Sequence, residues 1–210
     1  MKNMKQWPII TFVLIVLAWH YAQPINLARI DLGRHIKNGE LIVKGTWDVL
    51  YKNYYSYTYP EQPFVNHHWF FGVFCYSIWH FVSFAGLSLV YILLELLTFY
   101  LFFRRAKDLS SFWLACAFGL LSIPLLALRI QIRPEGFSML FCGLFWLLLA
   151  SHQEGRLKAN HLKIILALLQ ILWVNSHLFF IMGPILIGLF WLQAKADSRR
   201  ELANTFKQTF

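Results

Sequence analysis

From Trp7 onward the chain alternates long apolar runs with short polar interruptions. The apolar runs cover about 7–22, 69–85, 87–103, 110–128, 136–151, 161–175 and 178–194. None has the period-two alternation of a membrane barrel strand. In lipid only helices and closed barrels satisfy their own backbone. The pattern therefore predicts an all-α polytopic membrane helix bundle, one membrane domain over residues 1–210.

The positions of Lys and Arg decide which runs cross. If 69–85 crosses and the N-terminus is inside, the clusters Arg104/Arg105/Lys107, Arg156/Lys158 and Lys195/Arg199/Arg200 all face outside. If 69–85 instead lies along the outer surface, all three join Lys2 and Lys5 on the cytoplasmic side, as the positive-inside bias demands. The run also contains Trp69, Tyr76, Trp79 and His80, aromatic residues whose polar tips favour the membrane interface. The expectation is about six crossings (7–22, 87–103, 110–128, 136–151, 161–175, 178–194), both termini cytoplasmic, and a long outer first loop, 23–85, with amphipathic or interfacial helices.

Composition agrees. Hydrophobic residues make up 58% of the chain and charged residues 14%, against about a quarter charged in soluble domains. A net charge of +9 in a soluble protein would raise nucleic acid as a partner. Here the cations sit in clusters between apolar runs, so membrane lipid is the expected partner and nucleic acid is not. The N-terminal run follows Lys2 and Lys5 like a signal peptide, but it is long and lacks a small-x-small cleavage site, so it reads as a retained span. Cys75, Cys116 and Cys142 lie in apolar surroundings without CxxC spacing and read as buried small hydrophobes.

Candidate chemistry concentrates in the outer segments. Asp31, Arg34 and His35 are spaced i, i+3, i+4 and share one face if helical; they suit a site for a hydroxyl and a phosphate, or a solvated amphipathic helix on the headgroups. Asp48 and Glu61 follow as further carboxylates, and residues 54–60 are rich in tyrosine, fit for a sugar groove or for interfacial anchoring. His67 and His68 are adjacent, which in a helix points them apart, so no metal ligands are assigned. Arg129 and Arg133, one turn apart and followed by Pro134 and Glu135, suit a phosphate or pyrophosphate, or snorkel to the headgroups. Asn175 and His177 mark a turn between two apolar runs. Glu95 falls inside an apolar run, where a carboxylate faces a bundle interior or a cavity.

Taken in order, Asp31-x-x-x-His35-x-x-x-Gly39, Tyr57-Thr58 with Pro63, His67-His68-Trp69, Arg133-Pro134-Glu135 and Trp173-x-Asn175-x-His177 resemble the N-terminal part of GT-C type membrane glycosyltransferases, the group with protein mannosyltransferases and lipid A aminoarabinose transferases. The resemblance implies sugar transfer, with inversion, from a polyprenyl-phosphate donor on the outer face of a membrane, a bacterial inner membrane being expected. It implies Asp31 as general base and Arg129, Arg133 and His35 as the groups meeting the donor phosphate. Arg34, Asp48, His67, His68, Glu135, Asn175 and His177 are accessory candidates. No cofactor is assigned, and a divalent metal requirement is left open. Such enzymes are usually longer and often carry an acidic residue before the Trp where His68 stands, so a truncated or split enzyme with a second membrane subunit also fits. The alternatives are a non-catalytic subunit that binds a lipid-linked sugar or a partner enzyme, and a transporter or flippase built around Glu95.

Overall fold

The computed structural model describes residues 6–27, 30–128 and 130–209, with side chains up to 198 except that of Ala127. Helices α1 (Trp7–Tyr21), α2 (Leu32–Val43), α3 (Trp69–Leu109), α4 (Phe112–Ala127), α5 (Glu135–Gln153), α6 (Ala159–Val174) and α7 (Met182–Thr209) make the fold all-α, with no strand among the described residues. Single 3-10 turns follow α2 and α6, at Trp47–Leu50 and Leu178–Ile181. Three helices, Trp69–Leu109, Glu135–Gln153 and Leu178–Ser198, are long and apolar enough to cross a membrane; α1, α4 and α6 are apolar but shorter.

The runs 69–85 and 87–103 join in one helix, α3, that is broken near its first third. Val82 leaves helical geometry and Ser83 takes φ 59°, ψ −171°, a conformation rare for a side-chain-bearing residue. Gly86 accommodates the break, because a Cβ there would overlap the Val82 side chain. The segment before the break stays at one end of the bundle. Phe70 N–H donates to the Asn175 carbonyl at 3.0 Å, and Phe71 and Phe74 both stack edge-on against Phe137 of α5. The segment after the break runs the length of the bundle: Tyr91 meets Arg133 at the head of α5, and Arg105 pairs with Glu154 at its foot, 2.7 Å apart.

Sequence dictates the ends of these helices. Gly45 (φ 87°) and Gly155 (φ 73°) sit just past α2 and α5 in left-handed geometry, and the following residues return hydrogen bonds, Thr46 N–H to Leu41 and Arg156 N–H to Ser151. This is the glycine-terminated cap that satisfies the last carbonyls of a helix. Ser111 caps α4, its hydroxyl accepting from Leu114 N–H at 3.2 Å.

The core is aliphatic and aromatic, from Leu17 of α1 through Phe71, Leu87, Phe141 and Phe145 to Trp173 of α6. α2 lies against the first part of α3 at its two glycines. A Cβ on Gly39 would overlap the Gly72 carbonyl, and one on Gly72 would come within 2.8 Å of the His35 carbonyl. The two backbones therefore touch, which small residues permit.

Candidate functional site

Four separate pieces of chain meet at one end of the bundle around a cavity of about 140 Å³. Its wall takes Asp31, Arg34 and His35 from the start of α2, His68 from the start of α3, Arg133, Pro134 and Glu135 from the head of α5, and His177 from beyond α6. Asp31 stands at the N-cap of α2. Its Oδ2 accepts from Arg34 Nη2 at 3.2 Å, and the carboxylate is largely exposed. His35, one turn on, is 5% exposed and packs edge-on to His68 and Phe71, with ring centroids 5.6 and 5.1 Å away.

Arg133 is held by its main chain and by its guanidinium. The Tyr91 hydroxyl donates to the Arg133 carbonyl at 3.0 Å and accepts from its N–H at 3.3 Å. Arg133 Nε donates to Gln131 Oε1 at 2.9 Å, which leaves the outer nitrogens for the cavity. His177 is fixed by a buried chain. Trp173 Nε1–H donates to Ser138 Oγ at 2.8 Å, and Ser138 Oγ lies 2.8 Å from His177 Nδ1. An indole can only donate, so Ser138 Oγ accepts from Trp173 and its hydroxyl links the indole to the imidazole.

Burial sets the charge of the imidazoles. Desolvation, reinforced by the nearby Arg34, lowers His35 to about pKa 4 against the opposing pull of Asp31. Desolvation and the neighbouring His67, His35 and His177 lower His68 to about 3, and burial lowers His177 as well. At neutral pH the cavity thus presents neutral imidazoles with two guanidinium groups. Burial thus favours the uncharged form of the His35 ring at neutral pH.

A stability consequence follows. Between about pH 6.5 and 4 the unfolded chain binds protons at His35 that the folded chain refuses, so stability falls on acidification through that window. For His35 the shift amounts to about 3 kcal/mol at most. Glu40 sits lower, held at about pKa 2 chiefly by hydrogen bonds from Lys44 and Lys37, so its contribution is lost only below about pH 4.5. Thermal unfolding in detergent should show the first loss between about pH 6.5 and 4, and His35→Gln should reduce its slope while the shares of His68 and His177 remain. An unchanged slope in that variant counts against the assignment.

Of the other expected residues, Asp48, His67 and Asn175 fall outside the wall. Asp48 is turned away, bound by Tyr54 at 2.6 Å and Lys52 at 3.0 Å. His67 stacks on His68, with centroids 3.9 Å apart, and bonds to the Val65 carbonyl. Asn175 is a joint: it accepts from Trp69 Nε1 at 2.7 Å while its carbonyl takes the Phe70 N–H. Arg129 lies outside the described residues. Among the described residues no three His, Cys, Asp or Glu side chains are placed to hold a metal ion.

Ser138, Tyr91 and Gln131 support the site without having been singled out from sequence. Ser138 carries a faint signal, lying three residues after Glu135 on the same helix. Tyr91 carries none, because its partner is 42 residues away. Comparison with protein-family models, curated proteins and solved structures finds no match.

Proposed function

We propose that this chain is a GT-C type inverting glycosyltransferase, or the front part of one, moving a sugar from a polyprenyl-phosphate donor to an acceptor on the outer face of a membrane. The observation that carries the reading is convergence. Two carboxylates, two guanidinium groups and three imidazoles come from four distant segments to one small polar cavity at the end of an apolar bundle. Such a site suits a substrate whose phosphate lies at the surface and whose chain lies in lipid.

In this reading Asp31 Oδ1, which lies opposite the oxygen paired with Arg34, takes the proton of the acceptor hydroxyl as it attacks the anomeric carbon. The Arg133 guanidinium, aimed by Gln131, meets the leaving phosphate as its charge develops. The neutral rings of His35 and His177 add hydrogen bonds without competing charge. Gln131 cannot aim an ammonium as it aims a guanidinium, so Arg133→Lys is expected to lower turnover about tenfold or more, measured as initial rate at saturating donor.

The same reading places six crossings in the membrane: α1, α3 after its break, α4, α5, α6 and α7. α1, α4 and α6 have 15, 16 and 16 residues. At about 1.5 Å per residue they fall short of about 30 Å, a mismatch that local thinning and flanking residues absorb. Both termini, with the basic groups Arg104, Arg105, Lys107, Arg156 and Lys158, then lie on the cytoplasmic side of a bacterial inner membrane, and the cavity on the other.

The test is release of free polyprenyl phosphate from a panel of polyprenyl-phosphate sugars by the chain in nanodiscs. Release is the expected result. Donor binding without release would make the chain a non-catalytic lipid-sugar subunit, and neither binding nor release would remove the reading.

A further inference from the structure

A larger cavity lies elsewhere, between α1, α3, α4 and α5. It holds about 320 Å³. Its wall is almost wholly apolar and carries four phenylalanines, Phe99, Phe102, Phe103 and Phe118. Phe118 is well exposed at the surface of α4, so the cavity opens sideways from the bundle. Two hydroxyls on the wall are spent within their own helices, Thr98 on the Leu94 carbonyl and Ser122 on the Gly119 carbonyl.

One ionisable acid faces this apolar space. Glu95 lines the cavity and is 8% exposed. Two phenol hydroxyls face it, Tyr91 beside Gly136 and Tyr21, whose OH reaches Oε2 at 3.5 Å, and neither brings a positive charge. On its other side the carboxylate abuts Gly136, whose missing side chain makes room for it. Among the described residues no Lys, Arg or His lines the cavity or forms an ion pair with Glu95. A carboxylate inside an apolar bundle is costly and marks a ligand or ion pathway more often than a structural pin. Packing alone would have been served by Leu or Gln at this position.

We propose that the Glu95 cavity is a binding site for a lipophilic organic cation, separate from the polar cavity. The two parts of the wall ask for two parts of one ligand. The aromatic rings take an apolar body, and their negative faces attract a cation brought among them. The carboxylate supplies the counter-charge for that cation, and among the described residues lining the cavity no cationic side chain takes it instead. An uncharged lipid chain would satisfy the rings and leave the carboxylate without a counter-charge, and an anion would meet repulsion.

The test uses radiolabelled tetraphenylphosphonium and the full chain in detergent micelles, read by scintillation proximity so that only protein-held label counts. Tetraphenylborate, an anion of nearly the same shape, is measured separately. Expected are saturable binding of the cation at one site per chain and none of the anion. Affinity should fall about tenfold in Glu95→Gln and binding should vanish in Ser122→Phe, which fills the cavity and keeps the carboxylate. Should Glu95→Gln fail to fold, Ser122→Phe still reports on the site. Absence of saturable cation binding, equal binding of both ions, or cation affinity unchanged in either folded variant overturns the proposal. Equal binding would describe a groove for apolar chains without selection by charge.

Discussion

Replacing Asp31 by Asn is expected to lower turnover of the polyprenyl-phosphate donor about 10²- to 10⁴-fold, the usual worth of a general base. The substitution keeps the size of the side chain and an oxygen for Arg34, whose nitrogen lies 3.2 Å from Oδ2. Because the carboxylate is largely exposed, the fold has little to lose. Donor binding should stay within about threefold, since a base acts on the attacking hydroxyl in the transition state and not on the bound donor. The measurement is kcat and donor KM in nanodiscs, with Asp48→Asn as the comparison. Asp48 is held by Tyr54 and Lys52 away from the cavity, and its loss should change neither constant appreciably. A fall in kcat of less than about fivefold for Asp31→Asn would be too small for a base.

Gly39→Ala is the second large effect. One methyl group placed there runs into the Gly72 carbonyl, and neither backbone can step aside without separating α2 from α3. Overpacking of this kind costs about 3 kcal/mol. The functional loss should exceed the thermodynamic one, because His35 rides on α2 and His68 on α3, and the cavity wall needs both. A displacement of about 1 Å at such a site costs about 10²-fold in rate. Gly33→Ala supplies the contrast. Nothing lies within 4 Å of a Cβ there, and the helix should gain about 0.5–1 kcal/mol from the lost freedom of the unfolded chain. Unfolding temperature and turnover measured on both variants separate a contact effect from a general dislike of side chains in α2. Two variants that behave alike would remove the packing argument.

Much of this organisation could be read from the order of residues. The apolar runs gave the helices because a helix in lipid needs little beyond length and hydropathy. The Trp, Tyr and His content of the segment before Ser83 and the parity of the basic clusters suggested a surface element; in the fold it is the first part of α3, with Phe70 bonded to Asn175 and Phe71 and Phe74 packed on Phe137. The sharing of one face by Asp31, Arg34 and His35 followed from their spacing. What sequence concealed was long-range. Ser83 carries the break without proline or glycine at that position, and the only nearby mark is Gly86, where the runs 69–85 and 87–103 part. Asp48 looked like a partner for Asp31 because it lies in the same loop, but the nearer Lys52 and Tyr54 claimed it. Asn175 looked like a polar wall residue, yet its amide and carbonyl are occupied in joining the end of α6 to the start of α3. Ser138 reads as a small residue in an apolar run until Trp173 and His177 arrive beside it.

The joint between Asn175 and the start of α3 also orders events in time. Trp69 and Asn175 are 106 residues apart, which at ordinary elongation rates separates their synthesis by roughly 5–20 s. Through that interval Trp69 and the Phe70 N–H lack the acceptors they will finally use, and His68 has no His177 opposite it. A nascent chain that has already formed its early helices therefore has no finished pocket. The cavity wall is complete only when the turn after α6 has been made and His177 takes its place in it, so the pocket is among the last parts of this sequence to come into being.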